Sequence, residues 1–495
     1  MVMVRWDLVA GRNFFVSYSM IVMGFVMVFE WDALFPDRRD YQILTPLPIP
    51  LRTLFVAKMA ALAFFLGLFL LDMNLFGVLM WPSLDTRGNT FWIMFTHLVV
   101  VAAAGLWAAL AAAAVQGVLI TVLSGTLFRR VSVVIQTVLM AILVMLLIVA
   151  PWIGPVIRGL VYKDSPLLYY YPGFWFIGLY ERIRPAVGDP TLINLGHFAT
   201  QAMGWTAVVF FLTYLPLYRR HARKMLETPA PSPAGPGRVS RWIASHLDRT
   251  ILTQPVQRAV FHFISQAISR SVKHRLFLAT YSGFGAAMAI LSFDPHGRGL
   301  LRLPLTLSFV LVTALRAAFN FPAEINANWI YQLSETDYLG QYLTATRKWI
   351  AVCGIFPLFL VLAPVEFVYF PWRVALFHLV YGITLSLLLT EVLFFGFRKV
   401  PFTCAHFPGK INLVGLSVIY LLGFLAYSST MASVELLLMA SPAAAVSFFI
   451  FALLAWRVLA WFRERGVRQT AVLDYLDAGD PEVRTLGINW NPERR

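Results

Sequence analysis

The residues best placed to do chemistry are the few ionisable or polar ones inside otherwise apolar runs. Asp72, Arg316, Glu366 and Glu391 interrupt long hydrophobic stretches, Asn74 lies beside Asp72, and His97 and His378 stand among apolar neighbours. In hydrocarbon such groups are costly and mark substrate paths, proton relays or ion sites. Each also has a structural reading. Arg316 is a few residues from one end of its stretch and can snorkel. Glu366 is near an end, beside Tyr369 and Pro371, while Asp72 and Asn74 fall where they could line an external vestibule. Glu391 and Arg398 are spaced to pair across two helical turns. His97 and His378 read as core or interface residues. Cys353 and Cys404 are too isolated for a zinc site or a disulfide framework. These residues predict a chain that is not an enzyme and has no cofactor or metal of its own.

A second functional candidate lies outside the apolar runs, in Phe35–Lys58 (FPDRRDYQILTPLPIPLRTLFVAK). Pro36 suits a first helical turn, and Asp37 there complements the helix dipole. On a helix from Asp37 to Leu44, Tyr41 and Leu44 share an apolar edge, whereas Arg38, Arg39 and Gln42 face water. Pro46, Pro48 and Pro50 then forbid helix and impose an extended connector. This pattern predicts a short surface helix joined rigidly to the next apolar run. It reads either as an ordinary interfacial loop or as a lever that a soluble partner grips.

The elements that must position these residues follow from composition. Of 495 residues, 59% are hydrophobic and 13% charged, against about 45–50% and 25% in soluble domains. That excludes a soluble globular enzyme, a disordered chain and a secreted disulfide scaffold. Eleven stretches are long enough to span a bilayer: 13–29, 55–80, 91–123, 131–153, 193–217, 276–293, 303–319, 349–370, 374–397, 411–430 and 435–460. One central carboxylate costs about 2.5–3.5 kcal/mol, while each central Leu, Ile or Phe offsets about 0.3–0.6 kcal/mol. The spans with acids therefore remain spans. The expected fold is an all-α polytopic membrane protein.

Lys and Arg total 40 against 25 Asp and Glu. Basic cytoplasmic loops explain that excess without nucleic acid. Residues 218–275 hold eleven Lys or Arg against Glu227 and Asp248, and contain the linker-like stretch TPAPSPAGPG from Thr228 to Gly237. The expected organisation is a first transmembrane half (1–225), a basic cytoplasmic linker (226–270), a second half (271–465) and a cytoplasmic tail (466–495). The segments 30–54, 124–131, 320–348 and 398–410 then also lie inside, and 154–192 lies outside.

Parity leaves the first half with five spans and the second with six. This places the N-terminus outside despite Arg5 and Arg12, so the expectation is an additional initial helix upstream, or residues 1–12 lying back along the interface. The halves share landmarks in order: Phe35-Pro36 and Phe321-Pro322, Phe128-Arg129-Arg130 and Phe397-Arg398-Lys399, and closing basic extensions at Tyr218–Arg220 and Arg457–Arg465. Matching loops on one face make this a tandem duplication in the same orientation.

Arg39-Asp40, the apolar run to Leu44, Leu47-Pro48-Ile49 and a base ahead of the next helix resemble the coupling-helix segment of bacterial ABC-2-type permeases, the membrane subunits of ATP-binding-cassette exporters. Where that family commonly has a small hydroxyl residue after the Leu-Pro-apolar triplet, this chain has Pro50. The resemblance implies two permease halves in one chain, in the bacterial inner membrane, with a cytoplasmic C-terminus. It further implies two separate cassette ATPase partners that hold the ATP and magnesium. Its coupling residues would be Asp37, Arg38, Arg39, Asp40, Tyr41 and Leu44, with Glu324, Trp329, Glu335 and Asp337 as positional equivalents in the second half. The chain itself has no phosphate loop: before Gly409-Lys410 the first required Gly is Cys404, and Ile411 follows the Lys. Alternatives are an ion-coupled secondary transporter, a membrane-embedded transferase acting on lipid-linked substrates, and an assembly or scaffold subunit. The small residues of 102–114 suit close helix packing and name no cargo.

Overall fold

A chain this apolar must satisfy its backbone polar groups internally, which helices do within each segment. The computed structural model describes residues 2–31, 50–86, 88–123, 125–227, 238–292, 298–323, 335–397, 399–403 and 413–469. Among them there is no strand, and eleven helices are long and apolar enough to cross a membrane. The protein is an all-α, multi-pass membrane protein. It divides into two compact units, Met1–Ala234 and Gly235–Arg495, and the division falls within the Pro/Gly-rich stretch.

In the first unit α1 (Val2–Phe29) is the central helix, packed by α2 (Leu51–Leu84), α3 (Thr90–Val122) and α4 (Gly125–Tyr162). Two short helices, α5 (Leu167–Tyr170) and α6 (Pro172–Ile183), follow, and α7 (Pro190–Glu227) completes the unit. Because α1 runs unbroken from Val2, residues 2–12 do not lie back along the interface as a separate segment. Helix α4 continues through Pro151 and Pro155 to Tyr162, nine residues past the sequence boundary at 153. Prolines are tolerated where neighbouring helices re-satisfy the freed carbonyls. The segment expected as an outer loop therefore begins later, and α6 within it buries Phe174, Phe176, Ile177 and Tyr180. There α6 and α7 nearly touch. A Cβ on Gly178 would fall 2.3 Å from Gly196 N, so only glycine permits the approach.

The second unit begins with two helices where the sequence suggested a linker, α8 (Arg238–Thr250) and α9 (Pro255–Arg270). Then come α10 (Val272–Ser292), the central α11 (Arg298–Ala318) and α12 (Glu335–Trp349). Helix α12 runs through a π-helical turn, Ile350–Ile355, into α13 (Phe356–Tyr369), and α14 (Trp372–Leu393) follows. Next, α15 (Leu413–Leu425) passes through a second π-helical turn, Ala426–Thr430, into α16 (Met431–Ala440), and α17 (Pro442–Gln469) closes the unit. The expected break between the last two spans, at 431–434, is thus displaced to Ser441-Pro442. Polar Ser428, Ser429, Thr430 and Glu435 imitate a boundary in the sequence. Here the helix carries them onward with Ser428 and Glu435 buried.

Candidate functional site

The neighbouring spans run in alternating directions, so each unit has two ends. The handle end holds the segment after the first or seventh span; the far end is opposite. Asp37, Arg38, Arg39, Asp40, Tyr41, Leu44, Glu324 and Trp329 lie outside the described residues. What the structure describes is how the flanks of their segments are held.

In the first unit the chain leaves α1 through Trp31, which is buried. Trp31 Nε1 donates to Ser132 Oγ at 2.8 Å, and Gln116 Nε2 donates to the Trp31 carbonyl at 2.6 Å. Gln136 Nε2 donates to the Val28 carbonyl at 3.0 Å. Carbonyls orphaned by a helix C-terminus are thereby satisfied by side chains of α3 and α4. Downstream, Pro50 is extended (φ −66°, ψ 138°) and starts α2.

In the second unit the chain leaving α11 is pinned by Phe402 N to Phe319 O (3.2 Å), Ala323 N to Phe402 O (2.9 Å) and His274 Nε2 to Phe321 O (3.0 Å). It re-enters at α12, whose first turn carries Glu335 and Asp337. The last turn is gripped from three sides. Arg347 Nε lies 3.2 Å from Glu391 Oε2, and Arg463 Nη1 donates to the same oxygen at 2.6 Å. Lys348 Nζ donates to Ile251 O and Gln257 Oε1, both at 2.7 Å, and Trp349 Nε1 donates to Ser265 Oγ at 2.8 Å. Glu391 thus joins α12, α14 and α17. Its expected partner, Arg398, lies outside the described residues; the bases that meet it come from distant helices. Arg316 has partners within its own unit. Its Nε donates to the Leu393 carbonyl at 3.1 Å, and the guanidinium sits 4.6 Å from the Phe397 ring centre.

Asp72 and Asn74 part company. Asn74 is buried and donates to Ser19 Oγ (3.0 Å) and Leu70 O (2.8 Å), while Ser19 Oγ donates to Val101 O (2.8 Å). That chain ties α2, α1 and α3 together, so Asn74 lines no vestibule. Asp72 is exposed on α2, away from Asn74.

The far ends hold two clusters that the sequence reading did not assemble. In the first unit Arg12 Nη1 donates to Glu181 Oε1 at 2.6 Å, Arg12 Nη2 lies 3.3 Å from Asp85 Oδ2, and Arg184 Nη2 lies 3.4 Å from Asp85 Oδ1. Arg12, Asp85 and Glu181 have no exposed side-chain surface. Glu181 also accepts from the backbone amides of Ala186, Val187 and Gly188. The Arg12 guanidinium lies 3.9 Å from the Tyr180 ring centre. Burial pushes the Tyr180 phenol up to about 12; Arg12 offsets part of this and Asp85 adds to it. Burial likewise raises Tyr171, against its 2.6 Å hydrogen bond to Ser17. His97 stacks on Trp81 with ring centres 4.8 Å apart.

In the second unit His378 is not isolated. Its Nδ1 lies 2.5 Å from Glu435 Oε1 and its Nε2 lies 3.8 Å from Glu366 Oε1. Glu366 is on α13, His378 on α14 and Glu435 on α16. A sequence signal for both clusters exists. Asp85 and His97 are twelve residues apart across the second and third spans, and so are Glu366 and His378 across the eighth and ninth. Glu181 precedes Pro190, where α7 starts, and Glu435 precedes Pro442, where α17 starts.

Among the described residues no group of three or more His, Cys, Asp or Glu could hold a metal ion. No family model, curated protein or solved structure matches the chain. The fold and its buried polar contacts define a multi-pass helical membrane protein built as two units.

Proposed function

We propose that this chain is the permease of an ATP-driven exporter of the ABC-2 type, with two permease halves in one polypeptide. It sits in the bacterial inner membrane with its C-terminus in the cytoplasm. Two separate cassette ATPase subunits, carrying ATP and magnesium, drive it. The observation that carries this reading is the anchoring of the two handle segments. Trp31 ties the first to α3 and α4; the last turn of α12 ties the second to α9, α14 and α17. A pull on either segment is therefore delivered to several membrane helices of its unit. Mechanically, ATP closes the partner dimer, the handles move with it, and helices within each unit shift to open a path. The chain's own residues transmit force; the chemistry stays on the partner.

The charge-reversed double variant Arg39→Glu with Asp40→Arg is expected to abolish partner-stimulated transport in vesicles while membrane insertion and thermal stability stay at wild-type levels. Wild-type transport by that variant would remove the lever. A second reading, a proton-coupled secondary transporter, is favoured by the buried Glu366–His378–Glu435 cluster. Transport that survives without any ATPase subunit and collapses with a protonophore would select it.

A further inference from the structure

We infer that Glu366, His378 and Glu435 form a proton-binding site in the second unit, in which Glu366 carries an exchangeable proton as a neutral carboxylic acid. Charge and hydrogen-bond supply at these three side chains lead to it under either transport reading. All three side chains are at least nine-tenths buried. Among the described residues Glu366 Oε1 and Oε2, Glu435 Oε2 and His378 Nε2 have no hydrogen-bond partner. A buried carboxylate with neither donor nor cation is strongly disfavoured, and such a group takes up a proton instead.

Among the described residues, the neighbouring helices bring no compensating charge into contact. From α11, Arg302 lines a small cavity with Ala432, Ser433 and Leu436 but lies outside ion-pair range of Glu435. From α14, Tyr381 Oη donates to the Met431 carbonyl at 2.8 Å, and Arg373 sits over the ring of Trp372. Tyr427, from the π-helical turn, lies 3.3 Å from Ser308 Oγ. Tyr369, on α13, is exposed. The cluster must therefore neutralise itself. A single histidine can serve at most one carboxylate closely, and the 2.5 Å contact gives that role to Glu435. Glu366, at 3.8 Å, is left as the second acid. Two ionised carboxylates sharing one histidine would leave a net negative charge among apolar helices whatever the state of the ring, and a proton on Glu366 reduces it. When that O–H bond breaks, its electron pair stays on the carboxylate and the proton passes to water. Glu366 lies one turn from the end of α13, where the apolar span itself ends.

The test is infrared difference spectroscopy of the full chain in proteoliposomes, stepped in pH. Wild-type protein is expected to show the carbonyl stretch of a protonated carboxyl that shifts in D2O and disappears on alkalinisation. The near-isosteric Glu366→Gln removes that band, with circular dichroism confirming the fold. Glu435→Gln removes the neighbouring negative charge, so the band is expected to disappear at lower pH than in wild type. A wild-type spectrum with no band sensitive to Glu366→Gln would overturn the site. An unchanged titration in Glu435→Gln would overturn the sharing of charge between the two acids.

Discussion

The far ends of the two units place polar groups at corresponding points in the chain but neutralise them differently. Each has an acid at the end of one span, a histidine twelve residues on, and a second acid ahead of the proline that opens the unit's last span. In the first unit Arg12 and Arg184 meet Asp85 and Glu181, two charges against two among the described contacts, and Glu181 is further supplied by three backbone amides. With guanidinium present, His97 is released from ionic duty and packs against Trp81. In the second unit no guanidinium reaches the acids among the described contacts, and His378 takes its place between them. One cluster is a fixed lock; the other depends on protons. The difference follows from two arginines, Arg12 on α1 and Arg184 just after α6.

The strongest way to break this contrast is Arg12→Leu, which removes the base that meets both buried acids, Asp85 and Glu181. Removing one partner of a buried pair costs about 3–5 kcal/mol, so thermal unfolding in detergent is expected at markedly lower temperature. Little change would mean that the lock is not structural. Glu181→Gln is milder, because the amide oxygen can still accept from the backbone. A loss of about 1.5–3 kcal/mol, the range for hydrogen bonds to charged groups, is expected in the same assay. Glu435→Gln is expected to cost less than Glu181→Gln, since its cluster has no guanidinium to strand. A reversed order would erase the distinction between the two ends.

The smallest effect at neutral pH concerns Tyr180. Its folded value, raised from 10 to about 12, means that the neutral phenol stabilises the fold fully below pH 10. That contribution is lost as pH rises through the folded value. Tyr180→Phe keeps the ring against Arg12, so stability at pH 7 should change by less than about 1 kcal/mol. Wild type should lose stability between about pH 10 and 12 relative to the variant. Parallel unfolding curves for the two across that interval would contradict the assignment.

Eleven spans are legible because some twenty apolar residues in a row have few other fates. What misled the boundary at residues 431–434 was polarity: Ser428 and Glu435 look like an interface in one dimension and are core residues in three. Pro151 and Pro155 misled in the opposite sense, since α4 simply continues. Arg12 reads in sequence as an awkward topological charge; its partners lie 73 and 169 residues away, beyond any local pattern. Likewise Glu391 was readable as a structural acid, but its bases were not, because Arg347 and Arg463 approach from other helices. The matched acid–histidine spacings were the one available clue to the far-end clusters, and they become visible when spans two and three are laid against eight and nine.

The proposed permease role requires both handle segments to lie on the cytosolic side. The decisive measurement introduces Arg39→Cys or Glu335→Cys into a chain with Cys353→Ala and Cys404→Ala, and treats cells with a membrane-impermeant thiol reagent. Labelling at both positions only after the membrane is permeabilised is the predicted result. Labelling of either position in intact cells would put a handle on the wrong side of the membrane and contradict the claim.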